Sequence, residues 1–438
     1  MSKIRSIIKQ LVHPLCGVVR NLSIVELPPG IPPIFIFRGE LAAPFHFTRG
    51  GRAIRTSSEF PRITGVGVTK EGALWSFVGE AVERYAASTF TEDRTIWSNY
   101  ESISQRAIDP RLWIGYTPEQ YSAKLPLLPF DPKAEIRWVE GISLLDGTSV
   151  LVPASCVWLR IKDMVPSEQF IQPVSTGLAA GTSLAQAAVS GLFELLERDA
   201  FANYWMLGVA PPQLPISSLA DDQLPEVVSQ LFEGNSLNIT LYDIRVDVDI
   251  PCVLAKASLP GPNQGFALGA SAAPDYTTAA IKATIEAFHI FLSMQTTKRN
   301  NPEPLSLSEI RSFIDHGRYY YEHPAEAEFF FNNPNVSTTT DAHNSELSTA
   351  AHLGHRHLLG NLVQRITERG FDPILVDLTL PDIDVLGLKV VRCLIPGLQP
   401  ITAGYNLTPH DLRRVMKVSS TLKLASNHSL NFAPHPFA

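Results

Sequence analysis

The sequence has few cysteines and no long uninterrupted apolar run. Its 4 cysteines are far apart, without the Cys-x-x-Cys or Cys-x-x-His spacing of a structural zinc site. They predict no disulfide framework, and this cysteine usage is typical of a protein of the reducing cytoplasm. No uncharged apolar segment reaches the roughly 20 residues that a membrane-crossing helix needs, so we expect no membrane protein.

Charged residues are also scarce, at 18% of the 438 positions, and the 36 basic and 43 acidic residues give a net charge of −7. We therefore expect no nucleic acid partner, because a phosphate backbone attracts basic surfaces. Hydrophobic residues make up 45% of the chain, which excludes disorder, and the composition excludes collagen and coiled coils. Lys9 interrupts the apolar run near the N-terminus and no small-residue cleavage motif follows, so we expect no secretory signal.

Segments with strand and helix character alternate along most of the chain. Residues 1–55 include a proline-rich stretch that predicts an edge strand and a turn, and we interpret them as an appended segment before a catalytic domain at 56–438. Residues 296–348 are rich in Pro, Asn, Ser and Thr, and they predict a surface insertion with short helices. The segments that predict strands or helices are 136–144, 148–157, 183–205, 238–246, 251–259, 358–368, 373–380 and 388–396. This alternation predicts a layered α/β or α+β body.

Two segments of the sequence repeat one pattern. Residues 64–85 and 176–199 each begin with Thr-Gly, continue through small residues into a helix, and end with Ser-x-x-x-Glu-x-x-Glu-Arg. The polar residues of the pattern are Ser76, Glu80, Glu83 and Arg84 in the first copy and Ser190, Glu194, Glu197 and Arg198 in the second. A weaker third copy places Lys282, Glu286 and His289 at the same offsets.

The spacing of these residues has two interpretations. Offsets of four and seven put Ser76, Glu80 and Glu83 on one stripe of a helix, which is also what an ordinary solvated face with an i,i+4 ion pair looks like. Two helices that repeat the stripe can instead face each other and gather four carboxylates, which repel unless cations neutralise them. Carboxylates of this kind suit Mg²⁺ held together with nucleotide phosphates.

The residues before each helix favour the second interpretation. Gly65 and Gly67 precede the first helix and Gly177 to Gly181 the second, so both loops would offer backbone N–H groups to phosphate at a helix N-terminus. Neither loop is a Walker A or dinucleotide-binding sequence. The repeats therefore predict a magnesium-dependent nucleotide site of unfamiliar build. Asp377, Asp382 and Asp384 are an alternative metal cluster, but we favour turn and cap roles for them.

The repeated motifs resemble those of the YcaO superfamily. The resemblance runs from about residue 60 to the C-terminus, through ALWSFVGEAVERY, GLAAGTSLAQAAVSGLFELLERDAF, LGASAAPDYTTAAIKATIEA and VDLTLPDIDVLGLKVVRCLIPGLQP. It implies an α+β fold with duplicated strand–loop–helix units around a cleft for ATP and Mg²⁺. The magnesium-linked carboxylates would be Glu80, Glu83, Glu194 and Glu197. The expected nucleotide-binding residues are Gly65, Gly67, Ser76, Glu80, Glu83, Ser190, Glu194, Glu197, Arg198, Lys282 and Glu286. Val66, Lys282 and His289 depart from residues common in the family.

The resemblance also implies an activity. Family members use ATP to activate a peptide backbone amide; in the cyclodehydratases a Cys, Ser or Thr side chain attacks the preceding carbonyl, the amide oxygen is phosphorylated, and phosphate leaves to give an azoline ring. We therefore expect a cyclodehydratase that forms thiazoline or oxazoline rings in a ribosomal precursor peptide. Thioamide or amidine formation and a non-catalytic scaffold remain alternatives. The implied partners are the precursor peptide, a separate E1-like leader-binding protein and, for oxidation to azoles, an FMN-dependent dehydrogenase; we also expect an oligomer.

The last residues resemble the proline-rich tail of azoline-forming members, whose free carboxylate lies near the active site. The chain ends Pro434-His435-Pro436-Phe437-Ala438, and proline restricts such a tail to extended conformations. We therefore interpret Pro436 and Ala438 as catalytic positions. A frayed terminus is the alternative, and Ala438 stands where the family leads us to expect Pro.

Overall fold

The computed structural model describes residues 3–27, 34–42, 62–123, 125–219, 226–232, 236–261, 264–332, 346–424 and 429–438. The strands are β1 (Val19–Ile24), β2 (Phe35–Leu41), β3 (Arg62–Gly67), β4 (Thr95–Ser98), β5 (Ile136–Ser143), β6 (Ser149–Pro153), β7 (Leu178–Gly181), β8 (Gln213–Leu214), β9 (Asn238–Asp243), β10 (Cys252–Ser258), β11 (Phe266–Ala272), β12 (Ile374–Asp377) and β13 (Lys389–Leu394). The helices are α1 (Lys3–Leu11), α2 (Lys70–Ser88), α3 (Tyr100–Ile103), α4 (Pro118–Ser122), α5 (Leu184–Leu207), α6 (Glu226–Phe232), α7 (Tyr276–Asn300), α8 (Phe313–Glu322), α9 (Glu346–His352), α10 (His355–Glu368), α11 (Pro381–Asp384) and α12 (Arg413–Thr421).

Within the described residues the strands form three sheets. Their orders are β1-β2-β3, then β11-β10-β9-β8, then β4-β5-β12-β13-β7 with β6 paired to β5. Neighbouring strands within each sheet pair antiparallel. Antiparallel sheets with helices packed on them confirm the α+β fold that the sequence predicted.

Each sheet has an edge strand that leads directly into a long helix. β3 leads into α2, β7 into α5 and β11 into α7, and each helix packs against its own strand. Each helix also begins at a side chain that accepts a hydrogen bond from the first turn, which satisfies a free N–H group there. These caps are Thr69 with Gly72 N at 3.0 Å, Ser183 with Gln186 N at 3.2 Å and Asp275 with Thr278 N at 2.7 Å. The third, weaker repeat is therefore a true structural copy.

The predicted glycine loops are largely strand. Gly65 and Gly67 lie in β3, opposite Phe37 and Phe35 of β2, and the stretch before α5 is mostly β7, which pairs with β13. A Cβ atom at Gly65 would overlap the backbone of Phe77, so α2 can lie this close to β3 only because this residue has no side chain. The extended strand pairing is the reason that the two loops are shorter than expected.

Segments expected to be peripheral contribute to the body of the molecule. β2 pairs with β3, so the described part of 1–55 belongs to the sheet that carries Gly65; the expected boundary near 55 lies outside the described residues. Within 296–348, Ile310, Tyr320 and Phe330 are buried in the core, and only the stretch 333–345 lies outside the described residues. Aromatic side chains explain the difference from a surface insertion, because they gain most from burial.

All four cysteines are free thiols, and three of them are buried. No helix in the described part of the chain is long and apolar enough to cross a membrane.

Candidate functional site

The first glutamate of each repeat is fixed to the strand before its helix. In each unit one carboxylate oxygen accepts a hydrogen bond from a backbone N–H group of the strand or of the residue just before it. The pairs are Thr64 N to Glu80 Oε2 at 3.0 Å, Gly177 N to Glu194 Oε2 at 3.2 Å and Ala270 N to Glu286 Oε2 at 2.9 Å. Sequence spacing and fold thus hold three carboxylates in equivalent positions.

Arg198 joins the second repeat to the third. Its Nη1 lies 3.0 Å from Oε1 of Glu197, and its Nη2 lies 3.9 Å from an oxygen of Glu194 and 3.9 Å from an oxygen of Glu286. In the described structure, Glu197 Oε1 and Arg198 Nη1 are buried without a hydrogen bond of good geometry. The guanidinium therefore retains donor capacity beside three carboxylates.

The carboxylates perturb one another across the helices. Burial raises the pKa of Glu83 well above its ordinary value, and the charges of Glu194 and Glu80 raise it further. Burial also raises the pKa of Glu197, Glu194 and Glu286, with Glu286 and Glu194 adding to the effect at Glu197. Because a carboxylate on α2 acts on one on α5, the two duplicated helices present their glutamates to a common region.

These side chains remain accessible to a ligand. The exposed fraction is 31% for the Glu80 side chain, 18% for Glu83 and 28% for Glu194, against 9% for Glu197. Charged groups that are crowded together and still reach solvent are typical of binding sites.

This donor set fits magnesium bound together with a nucleotide. Among the described residues, no three His, Cys, Asp or Glu side chains are close enough to form a metal cage by themselves. Mg²⁺ is commonly held by one or two carboxylates, with phosphates and waters as its other ligands. Raised carboxylate pKa values indicate that a cation would be stabilising here.

The remaining predicted nucleotide-binding residues lie around this region. Ser76 accepts a hydrogen bond from Val66 N at 3.4 Å, and Ser190 is exposed on α5. Lys282 is exposed on α7, and its charge interacts with those of Glu197 and Asp275. The aspartates of the alternative metal cluster have other contacts: Asp377 accepts from Thr379 N in a turn, Asp382 accepts from Tyr85 Oη, and Asp384 pairs with Lys389.

Sequence reasoning missed Arg392. It is only 5% exposed on β13, donates from Nη1 to Val174 O at 2.8 Å, and its charge interacts with those of Glu194 and Glu83. Burial lowers its pKa. The available signal was a lone arginine inside the apolar run VVRCLIP, because an arginine in a buried strand needs partners.

The last described residues pack against the site instead of fraying. The centre of the Phe437 ring lies 4.1 Å from the guanidinium carbon of Arg198, and Phe437 is 1% exposed. Tyr320 Oη donates to Pro434 O at 2.5 Å. His316 hydrogen bonds through Nδ1 to His435 O at 2.7 Å. Pro436 and Ala438, the predicted catalytic positions, therefore flank a ring that covers Arg198.

The chain is similar in sequence to a known protein family and to individual proteins. A family model described as YcaO cyclodehydratase, ATP- and Mg²⁺-binding, matches residues 64–399. An uncharacterized protein of Methanothermobacter thermautotrophicus is 27% identical over 357 residues, which are 79% of this chain and 85% of that protein.

Two solved structures share the fold. A heterocyclase in complex with substrate and cofactor has a TM-score of 0.78 at 21% identity, and the match covers 100% of this chain but 57% of that chain. YcaO from Methanopyrus kandleri, bound with AMPPCP and Mg²⁺, has a TM-score of 0.60 at 20% identity and covers 90% of this chain and 88% of that chain. This chain thus spans little more than half the length of the heterocyclase.

Proposed function

Because the chain belongs to the YcaO family, we propose that it is an ATP- and Mg²⁺-dependent cyclodehydratase that forms thiazoline or oxazoline rings in a ribosomal precursor peptide. The observation that supports this proposal most directly is the set of glutamates from the repeated helices around Arg198. A scaffold without catalysis has no need of carboxylates that raise one another's pKa.

In this proposal the carboxylates that would hold Mg²⁺, one or two as direct ligands and the others through waters, are Glu80 and Glu83 of α2 and Glu194 and Glu197 of α5, with the nucleotide phosphates as its other ligands. Bound ATP supplies the phosphoryl group that turns the amide oxygen into a leaving group. Arg198 places a donor where negative charge develops, and a fixed donor of that kind stabilises a transition state more than a mobile one does. The N–H groups of Thr64 and Gly177 keep two of the carboxylates in place before ligands arrive.

The partners remain part of the proposal. The precursor peptide is the substrate, a separate E1-like protein recognises its leader, and an FMN-dependent dehydrogenase oxidises azoline to azole where azoles are made. A heterocyclase in complex with substrate and cofactor has a similar fold, and this supports a substrate together with a cofactor as the ligands of the present chain.

Mass spectrometry of candidate precursor peptides co-expressed with this protein tests the reaction. We expect the loss of one water mass per ring, on Cys, Ser or Thr, and no loss with the Glu194→Gln variant. Exchange of an amide oxygen for sulfur without water loss would instead identify thioamide formation. An unmodified peptide with every partner present would contradict the proposal.

A further inference from the structure

A cavity of about 90 Å³ lies beside Arg198 and Arg392. Its wall is mainly apolar and includes Trp113, Ile171 and Leu195. Arg198 links this cavity to the carboxylates of the candidate site, because the same guanidinium lies next to Glu197.

Three polar atoms at the cavity have no hydrogen-bond partner among the described residues. They are Ser155 Oγ, Arg392 Nε and Gln399 Nε2, on residues that are 4%, 5% and 5% exposed. Buried polar groups are rarely left unpaired in folded proteins. Gln399 is also fixed by its backbone, whose N–H donates to Asp199 Oδ1 at 2.7 Å. Unpaired polar atoms on side chains that the fold holds in place indicate a ligand that supplies the missing hydrogen bonds.

The chemistry of the lining identifies the class of ligand. Arg392 and Gln399 offer N–H donors, which require acceptor oxygens, whereas the wall requires an apolar surface. The cavity is well below the roughly 300 Å³ of a site that buries a whole small molecule. It therefore fits one part of a longer ligand, and a peptide backbone carbonyl with its apolar side chain meets both requirements.

We propose that this cavity binds the residue that precedes the modified Cys, Ser or Thr of the substrate peptide, and that it selects an apolar side chain at that position. The inference rests on the proposed function, because the carbonyl of that preceding residue is the one attacked. Its position beside Arg198 brings the reacting carbonyl next to the carboxylates that hold the nucleotide.

Photo-crosslinking of the full chain without ATP tests the pocket independently of ring formation. The probe is the synthetic peptide acetyl-Gly-photoleucine-Cys-Gly-amide, and peptide mapping locates the label. We expect label on Ile171, Leu195 or Leu398, with competition by acetyl-Gly-Leu-Cys-Gly-amide and none by the matching peptide with Asp in place of Leu. Label elsewhere, equal competition by both peptides, or displacement by inorganic phosphate at lower concentration than by the Leu peptide would overturn the proposal.

Two variants sharpen the test. Thr176 is half-buried at the cavity, so Thr176→Trp should fill it and reduce labelling at least about tenfold, the loss expected when a leucine side chain is no longer buried. Thr367→Trp, at a half-buried position on α10, is the matched control and should label like the wild type. Gln399→Met keeps the shape of the side chain but removes its N–H donor, so it should also reduce labelling. This variant provides the test if Thr176→Trp fails to fold. Unchanged labelling in the folded pocket variants would refute the inference, whatever the outcome for ring formation.

Discussion

Glu197 is the least accessible carboxylate of the site, with a side chain 9% exposed, and it pairs with Arg198 at 3.0 Å. That pairing does not offset its burial, because burial together with the charges of Glu286 and Glu194 raises its pKa to about 8. A carboxylate that the protein alone solvates poorly is stabilised by an added cation. We therefore expect the ionised Glu197 carboxylate to gain stability when Mg²⁺ binds at the site.

The raised pKa of Glu197 predicts how stability depends on pH. The folded carboxyl keeps a proton that the unfolded chain releases above its ordinary pKa of 4.5, so stability of the ligand-free protein should fall as pH rises from about 4.5 to 8. Glu197→Gln should weaken this dependence and melt at a higher temperature than the wild type at pH 8, while ATP turnover is lost. Thermal unfolding at pH 5 and pH 8 measures this, with Glu368→Gln on the exposed face of α10 as the control. Identical pH profiles for the two variants would contradict the prediction.

The roles of individual residues were only partly predictable from the sequence. Repetition revealed Glu80, Glu83 and Glu194, because identical spacing in two copies stands out without any structure. Arg392 and Gln399 could not be assigned in this way. Their unpaired atoms and their closeness to the site depend on contacts between segments more than 190 residues apart, such as the hydrogen bond between Gln399 and Asp199.

At the scale of elements, the same strand–helix unit occurs three times, and each copy ties its glutamate to a backbone N–H group. The helix from Ser183 was predictable, since a capping serine and a long apolar pattern precede and accompany it. The extent of β3 and β7 was not predictable, because their glycines are typical of loops and only the partner strands β2 and β13 keep them extended.

The third unit makes a prediction that separates hydrogen bonding from charge. Glu286→Gln keeps an acceptor for Ala270 N, whereas Glu286→Ala leaves that N–H group without its partner. We expect Glu286→Ala to lower the free energy of unfolding by about 1 kcal/mol more than Glu286→Gln does. Urea denaturation of both variants provides the measurement. Equal stabilities would mean that this hydrogen bond does not help to fix α7 against β11.

The C-terminal segment makes a second prediction at this scale. The Phe437 ring covers the Arg198 guanidinium, and a desolvated cation–π contact contributes about 2 kcal/mol. Phe437→Leu keeps apolar volume but removes the π face, so kcat for phosphate release should fall roughly tenfold or more. Phe437→Tyr should restore most of it, and the melting temperature should fall by only a few degrees in the Leu variant, as expected for a loss of about 2 kcal/mol in a chain of this size, and stay near that of the wild type in the Tyr variant. A Leu variant with full kcat would show that the ring only fills space.

At the scale of the whole molecule, the described elements outside the family match pack on the same scaffold as the site. β2 extends the sheet of β3, and α12 is tied to α5 by Arg414, which pairs with Asp199 and Asp247. The segment 429–438 reaches Arg198. These contacts make β2, α12 and the segment 429–438 part of the same scaffold as the candidate site, and in the proposed function a separate protein recognises the leader.

This division of labour predicts different behaviour with and without a partner. The purified protein should turn over ATP slowly, because the glutamates and Arg198 are already gathered in the ligand-free fold. Efficient ring formation should require the leader-binding partner, since a flexible precursor otherwise loses its conformational freedom for few contacts. Phosphate release and peptide mass are measured with the protein alone, with the partner added, and with a precursor whose leader has been removed. Fast, leader-dependent modification by the protein alone would assign leader recognition to this chain. Rates that the partner does not change, with or without the leader, would remove the partner from the reaction.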